Sequence, residues 1–595
     1  MPQANYKKLS LLLVLTVMIG LLAFSVGAQG IPDVPREDTV IFDIDGGTAT
    51  IANPFNYSFL APGGISGPRN AGYHQAVNEP LFILNYETGE IQPWLGESFT
   101  ANETLDVWTL KIRDGVKWSD GEAYNADDIV FSVNLRLEDE TASLADAAAL
   151  QQWIESVEKI DDLTVQFNLK QPNPRFQLDY FSVRIWGSFL VLPEHVWAGQ
   201  DPFSFEFYDL EKGWPMGTGP YKMVSASENE FVYDLREDWW GAETGWKPLP
   251  QPKRLIWVAT GNDDVRSLLT IDNQLDSVMD ITLGAFEAII AQNPNVIAWQ
   301  SQLPYAWLDP CPRQMSLNHT VAPWDDPEMR WVLNYAMDRN QIVEIAYEGT
   351  TIPSRSMFVE YGGLINPYIN ALESAGLTMG FTADVARAQE IIESKGYTLN
   401  GNGIYELNGE ELSLNIQAHE GFIEKRRIAE NVVEQYRSAG IAATQSNVEG
   451  ATWGDNKAFG NFEAVLDWDS CNSINEPWAS MDRYSNDWLV PVGERAPGTN
   501  NFVRWSGEKN DRYSELVDQI GVLPLGDEAI MPLFMEAMQL WYEELPFIPI
   551  TQAKKLIPFN TTYWTGWPTA ENNFNHPATW WQSTHQILHE LQKVQ

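Results

Sequence analysis

The sequence is poor in positive charge and in the residues that bind metals or act as nucleophiles. It has 38 Lys and Arg against 81 Asp and Glu, a formal net charge of −43, and only 7 His and 2 Cys. Such a charge repels nucleic acid and anionic membranes, so neither is expected as a partner. No His-Glu-x-x-His, Cys-x-x-Cys, Gly-x-Ser-x-Gly or phosphate loop ending in Gly-Lys occurs. We therefore expect no catalytic residues, no metal and no cofactor.

The two cysteines, Cys311 and Cys471, allow at most one intramolecular disulfide. In an exported chain such a pair is favoured, and closing a loop of this length contributes at most about 5 kcal/mol. The alternative is two buried free thiols.

Only one long hydrophobic run is present, and it lies at the N-terminus. Lys7 and Lys8 precede an apolar stretch from Leu9 to Val26, and small residues follow it. This pattern predicts a signal peptide over 1–28, cleaved near Ala28, and export to the periplasm or the extracellular cell envelope. An uncleaved anchor is the alternative. No cysteine follows the run, so a lipoprotein anchor is not expected.

The 595 residues exceed what one hydrophobic core usually organises, which predicts two or more domains. Strand-like runs at Val40–Asp45, Trp108–Arg113 and Val165–Leu169 show hydrophobic or alternating patterns. Helices are indicated in the second half, with Asp326, Asp338 and Thr382 as their N-caps. Alternating helices and strands indicate an α/β fold.

Several motifs, in a fixed order along nearly the whole chain, resemble the signature of family 5 extracellular solute-binding proteins of ABC importers. This group takes dipeptides, oligopeptides, nickel or oligosaccharides. The motifs are Asn78–Ser98, Trp108–Gly121, Ala126–Phe131, Gly217–Lys222, Trp239–Gly241 and Arg330–Arg339.

The resemblance implies a two-lobed α/β protein of the type II periplasmic-binding-protein class (cluster C), with a subdomain inserted in lobe one. It implies a monomer that is not an enzyme and that works with ABC permease subunits. The implied segments are 29–75, 205–303 and 546–595 for lobe one, 76–204 for the inserted subdomain and 304–545 for lobe two.

The cargo is predicted from the loop between Asp467 and Trp478. Peptide-binding relatives carry an aspartate two residues before Asn-Glu-Pro, where it pairs with the peptide's amino terminus, and this chain has Ser473 there. Without that carboxylate the bond to an ammonium group is lost. The loop instead offers hydroxyl-binding groups and flat indole faces, which suit a sugar.

The 25 tryptophans support a wet aromatic groove, although each one taken singly could equally pack in a core. Segments 173–176, 563–568 and 572–577 also look like the branch that binds cellobiose and β-mannosides. We therefore predict an oligosaccharide ligand, cellobiose- or mannobiose-like. The alternatives are an oligopeptide or dipeptide and, less favoured because it needs two carboxyls across a scissile bond, a secreted glycoside hydrolase. The predicted ligand-binding residues are Asn53, Phe55, Asn56, Trp239, Trp468, Asp469, Asn472, Ser473, Asn475, Glu476, Trp478, Trp564 and Trp567.

Overall fold

The structure is a computed structural model, and it describes most of the chain downstream of the predicted signal peptide. The segment 1–28 and the cleavage point near Ala28 therefore lie outside the described residues. The described residues are 31–44, 50–51, 53–60, 72–85, 88–184, 188–360, 365–468, 471, 473–474, 476–577 and 583–595. Within these ranges, no helix is long and apolar enough to cross a membrane.

Lobe one is built on a four-stranded sheet whose first two strands are parallel and whose other neighbours are antiparallel. Phe42 and Trp257 lie in register on the parallel pair, and their rings stack with centroids 4.7 Å apart. Both residues are fully buried, which agrees with the apolar residues Val40–Phe42 that predict the first strand. The strands, in spatial order, are Thr39–Asp43, Arg254–Val258, Glu230–Leu235 and Tyr221–Ala226.

The inserted subdomain has its own four-stranded antiparallel sheet and its own core. The predicted strands at 108–113 and 165–169 are confirmed within one residue at either end, because every second side chain faces this core. A smaller sheet of three strands lies beside it, and Asn125 caps the main helix with a capping box. The strands are Gly96–Ala101, Val107–Ile112, Thr164–Leu169 and Ile154–Asp161, then Ile91–Pro93, Phe82–Leu84 and Ser182–Val183.

Lobe two contains a five-stranded sheet in which three parallel strands adjoin two antiparallel ones. Its last strand, Phe547–Lys555, lies beyond residue 545, where the expected segment ends, and pairs with Trp307–Leu317. These two strands also carry the chain between the lobes, with Trp307 opposite Lys555. The spatial order is Ala442–Val448, Ser413–His419, Ala464–Asp467, Trp307–Leu317 and Phe547–Lys555.

Helices cover this sheet, and two of the predicted N-caps are confirmed. Asp326 accepts from the Glu328 amide and Asp338 accepts from the Gln341 amide. The Thr382 cap is wrong by two residues, because Asp384 supplies the capping carboxylate. The helices of lobe two are Pro327–Tyr335, Arg339–Tyr347, Asn366–Ser374, Val385–Ser394, Ile423–Ser438, Gly450–Phe459, Trp478–Asp482, Glu508–Gly521 and Ile530–Glu544.

Short elements complete both lobes. The helices outside lobe two are Ala126–Leu137, Ala147–Trp153, Glu194–Trp197, Trp240–Glu243, Asp263–Ile271, Leu283–Gln292 and Thr584–Glu590. The remaining strands are Val296–Ile297, Thr398–Leu399, Tyr405–Leu407, Glu410–Glu411, Phe559–Asn560, Trp564–Thr565 and Gln592–Lys593.

Candidate ligand site between the lobes

A cavity of about 590 Å³ lies between the lobes, beside the strands that connect them. Its walls come from segments that directly follow parallel strands. In lobe one, Asp263 and Arg266 follow Arg254–Val258, and in lobe two, Phe422 follows Ser413–His419. Ligands of open α/β sheets bind outside the carboxyl ends of parallel strands. We call this space the interlobe cavity.

On the lobe-two side, the charged groups of the interlobe cavity form ion pairs. The Arg313 guanidinium lies 3.2 Å from the Glu424 carboxylate, and Arg427 lies 3.0 Å from Glu348. Burial is the largest influence on Glu424 and raises its pKa, but Arg313, Lys555 and Lys425 together hold the pKa below its ordinary value. Glu424 is therefore an ionised partner of Arg313 at neutral pH.

Two lysines end the connecting strand Phe547–Lys555, and both lie close to carboxylates of the cavity wall. Lys554 Nζ lies 2.9 Å from Asp280, and Lys555 Nζ lies 3.7 Å from Asp280 and 4.0 Å from Asp309. Burial pushes the pKa of Asp280 upward, yet the two ammonium groups leave it lower than usual. Burial raises the pKa of Asp309.

Arg266 completes the lobe-one wall. It lies 2.8 Å from Asp43, at the end of the first strand, and 2.9 Å from Asp263. Among the residues that the structure describes, the lining therefore contains five basic and five acidic side chains. Each of the five basic ones has a carboxylate within 4.0 Å. The described wall is rich in charged side chains and balanced in charge.

Of the predicted ligand-binding residues that the structure describes, Trp468 lines the interlobe cavity. It directly follows the buried strand Ala464–Asp467, and the Phe422 ring meets it edge-on at 5.0 Å. Cys311, also in the lining, is joined to Cys471 by a disulfide. That bond ties the loop after Trp468 to the connecting strand.

Ser473 is buried, and its side chain forms hydrogen bonds within its own loop. Its hydroxyl donates to the Pro477 carbonyl at 2.8 Å and accepts from the Ser480 amide at 2.9 Å. The hydroxyl is thus engaged by the backbone of its own loop, and Ser473 is absent from the cavity lining.

Glu476 and Trp478 contact Arg175, which belongs to the inserted subdomain. The Glu476 carboxylate lies 3.1 Å from the Arg175 guanidinium, and both side chains are buried. The same guanidinium lies 4.9 Å from the Trp478 ring. These two predicted site residues therefore form a contact between lobes, outside the interlobe cavity.

The structure places Trp239, Trp564 and Trp567 in hydrophobic cores, where all three are buried, and none of them lines the interlobe cavity. The Trp564 indole donates to the Thr39 carbonyl at 2.9 Å, and the Trp567 indole donates to the Trp564 carbonyl. The satisfied indole N–H groups of Trp564 and Trp567 are compatible with their burial in the core.

The N-terminal candidates lie on the surface of lobe one. Phe55 is 52% exposed and its ring lies 5.4 Å from Tyr208, whereas the Asn56 side chain accepts from the Ser58 amide. Asn53 has a positive φ of 56°. None of the three lines the interlobe cavity. Asp469, Asn472 and Asn475 lie outside the described residues.

Sequence reasoning missed the charged lining. One signal was available, since Arg313 lies inside a mostly apolar strand and Lys554 and Lys555 end another. Charges inside such strands are rarely placed there without partners. Their partners, however, come from distant parts of the chain.

Comparisons with known proteins identify the chain's relatives. Residues 90–488 match the family described as bacterial extracellular solute-binding proteins, family 5, middle region. The glutathione-binding protein GsiB of Escherichia coli (strain K12) is 26% identical over 344 residues, which are 58% of this chain and 60% of that protein. The matched part thus spans less than two thirds of that relative's length.

Two solved structures share the fold along nearly the whole chain. One is a periplasmic oligopeptide-binding protein of Thermotoga maritima with mannohexaose bound (19% identity, TM-score 0.72, 94% of this chain and 99% of that one). Another is NikZ of Campylobacter jejuni in complex with Ni(L-His) (18% identity, TM-score 0.67, 94% and 100%). Since the family match covers well over half of the sequence, this chain belongs to family 5 of the bacterial extracellular solute-binding proteins.

Proposed function

We propose that this protein is the exported binding subunit of an ABC importer and captures a neutral oligosaccharide, cellobiose- or mannobiose-like, in the interlobe cavity. The observation that carries the proposal is the charge balance of the lining, in which every cation is already paired. Paired charges offer many hydrogen-bond donors and acceptors without demanding a charged ligand.

Peptides and glutathione are zwitterions, and a buried charge without a partner costs several kcal/mol. A lining suited to them would hold cations or carboxylates free to pair with the ligand. Ser473 also supplies no carboxylate and spends its hydroxyl on Pro477 and Ser480. A sugar, by contrast, needs hydroxyl partners and an apolar face such as the Trp468 indole at the cavity wall.

The size of the interlobe cavity supports a small oligosaccharide. Its volume of about 590 Å³ falls within the range of sites for small molecules. A ligand that contacts both walls favours the closed arrangement of the lobes, because binding then shifts the population toward it. The closed protein, acting as a monomer, would deliver its ligand to the permease.

A glycoside hydrolase is disfavoured by the same ion pairs. Such an enzyme needs a general acid whose pKa is raised and a second carboxylate facing it across the sugar. In the interlobe cavity, neighbouring cations hold the pKa values of Asp280 and Glu424 below their ordinary range. Neither is suited to donate a proton at neutral pH. Asp309, whose pKa burial raises, also lines the cavity, but its carboxylate accepts from the Cys311 amide at 2.9 Å and lies 4.0 Å from Lys555 Nζ.

A peptide or glutathione ligand is the second candidate, and the glutathione-binding relatives favour it. Isothermal titration of the mature protein against cellobiose, mannobiose, glutathione and a dipeptide mixture separates the two. We expect heat and a rise in melting temperature with a sugar alone. Binding of glutathione or peptides without sugars would reject the oligosaccharide proposal, and sugar turnover would reject the binding-protein proposal.

Trp468→Leu and Trp331→Leu make a matched pair for locating the site. Trp331 is a partly buried tryptophan of lobe two, hydrogen-bonded to the Tyr542 carbonyl and absent from the cavity lining. We expect Trp468→Leu to weaken sugar binding by tenfold or more, about the worth of one aromatic contact, and Trp331→Leu to leave it unchanged. Equal effects of the two would place the ligand elsewhere.

A further inference from the structure

A fully buried lysine lies behind Trp468. Lys425, in the first turn of the helix Ile423–Ser438, has its Nζ 3.1 Å from the centroid of the Trp468 ring and 4.2 Å from that of Trp453. The Phe422 ring lies 5.3 Å from the same atom. Three rings around one ammonium form the arrangement by which aromatic cages bind cationic ligands. Here the chain's own lysine occupies the cage.

The carboxylate nearest to Lys425 already has another partner. Asp467 is fully buried, and its Oδ2 lies 2.6 Å from Lys457 Nζ, while its Oδ1 is 3.8 Å from Lys425 Nζ. Among the described residues, Lys425 Nζ has no hydrogen-bond partner. The rings of the cage are thus its closest neighbours.

The other charges that face Lys425 come from three elements. Arg313, on the connecting strand, lies 5.5 Å from the Trp468 ring, and Glu424 beside Lys425 is paired with Arg313. His419, at the end of its strand, has a pKa lowered by burial and by Lys425. Burial lowers the pKa of Lys425 to about 7, with Arg313 and Lys457 adding to the effect and Asp467 and Glu424 opposing it.

Burying a lysine among these rings carries a desolvation penalty that an apolar side chain would avoid. A methionine would pack against the same rings without the desolvation cost of an amine that makes no hydrogen bond. The property that methionine lacks is the positive charge against the indole of Trp468. Since Trp468 forms the wall of the interlobe cavity, that charge acts on the ligand site.

We propose that Lys425 is the positioning residue of the interlobe cavity: its ammonium fixes the Trp468 indole, and ligand capture weakens when the ammonium loses its proton. This inference rests on the proposed function, because it concerns the same cavity. When Lys425 is charged, cation–π attraction holds the indole in one plane. When it is neutral, the attraction disappears and the indole must be ordered by the ligand itself, which reduces affinity.

The test compares wild type, Lys425→Met, Lys425→Arg and the surface control Lys509→Met by titration with cellobiose and mannobiose from about pH 5.5 to about pH 8.5. We expect wild-type affinity to fall about tenfold over this range, and Lys425→Met to bind weakly at every pH. Lys425→Arg should bind without this pH dependence, because a guanidinium stays charged. Lys509→Met should keep the wild-type profile, since Lys509 pairs on the surface with Glu543 and Glu544.

Two outcomes would overturn the inference while leaving the proposed function intact: sugar binding in Lys425→Met equal to wild type, or a wild-type pH profile that persists in Lys425→Met. If no sugar binds to wild type, the proposed function fails, and near-ultraviolet circular dichroism still tests Lys425. The wild-type tryptophan signal should then change with a midpoint near pH 7, and Lys425→Met and Lys425→Arg should not change. A flat wild-type signal would refute the role of Lys425.

Discussion

Arg175 joins the inserted subdomain to lobe two, and replacing it with methionine tests the interlobe geometry directly. Its guanidinium is buried and donates to the Gly521 carbonyl at 2.8 Å, to Ile520 at 3.3 Å and to Leu523 at 3.4 Å. It also lies 3.1 Å from the Glu476 carboxylate. One side chain of the subdomain thus closes the carbonyl end of a lobe-two helix and neutralises a buried acid.

The expected loss in the free energy of unfolding follows from the charge that Arg175→Met leaves behind. Arg175→Met leaves Glu476 buried without its counter-ion, since the two side chains are 1% and 6% exposed. Removing one partner of a buried ion pair costs about 3–5 kcal/mol. The double variant Arg175→Met/Glu476→Met removes both charges, and we expect it to cost less than about 2 kcal/mol because no unpaired charge is left.

Urea titration at neutral pH, followed by tryptophan emission, measures the free energy of unfolding for wild type, both single variants and the double variant. The expected pattern is a large loss in Arg175→Met that the second substitution largely restores, with a coupling energy above about 1 kcal/mol. Sugar affinity should fall in parallel by about a hundredfold if the contact belongs to the closed arrangement. Additive losses, or a loss below about 1 kcal/mol in Arg175→Met, would show that this contact does not hold the lobes together.

Three further predictions concern the scaffold. Cys311→Ser should lower the free energy of unfolding by about 2–5 kcal/mol, and mass spectrometry should show alkylation of wild-type Cys471 only after reduction. Burial raises the pKa of Glu79 to about 7, so unfolding free energy should fall by about 3 kcal/mol as pH rises from about 4.5 to about 7. Glu79→Gln should remove that slope in thermal melts, and a slope that persists would assign it to other groups. Gly217→Ala should abolish soluble expression, because a Cβ there would lie 2.1 Å from the Val77 carbonyl oxygen, and normal yield would contradict this.

The sequence predicts the family and much of the local structure, because those depend on neighbouring residues. The alternation around Trp108 and Val165 sets two strands, and Asp326 and Asp338 start two helices where carboxylates can reach free amides. The sequence does not distinguish the Asp384 cap from Thr382, because a threonine hydroxyl two residues earlier can also accept from a free helix amide.

The site was harder to predict, because its pairings are long-range. Lys554 meets Asp280 across 274 positions of sequence, and no local pattern links them. Trp239 and Trp564 are predicted to bind ligand because their segments resemble the family, yet an indole in a core and an indole in a wet cleft share the same local sequence signal. Only the tertiary partners of each ring, such as the Thr39 carbonyl for Trp564, decide between the two.

Described residues from Trp468 to Glu476 connect the wall of the interlobe cavity to the contact between the lobes. Trp468 lines the interlobe cavity, Cys471 ties the next residues to the connecting strand, and Glu476 binds Arg175 of the opposite lobe. Ser473, between them, fixes the turn through hydrogen bonds inside the loop. A ligand bound at Trp468, as proposed, and the Arg175–Glu476 pair would act on neighbouring parts of one loop, so we expect each contact to stabilise the other. Weakening either contact should then reduce both ligand affinity and the contact between the lobes.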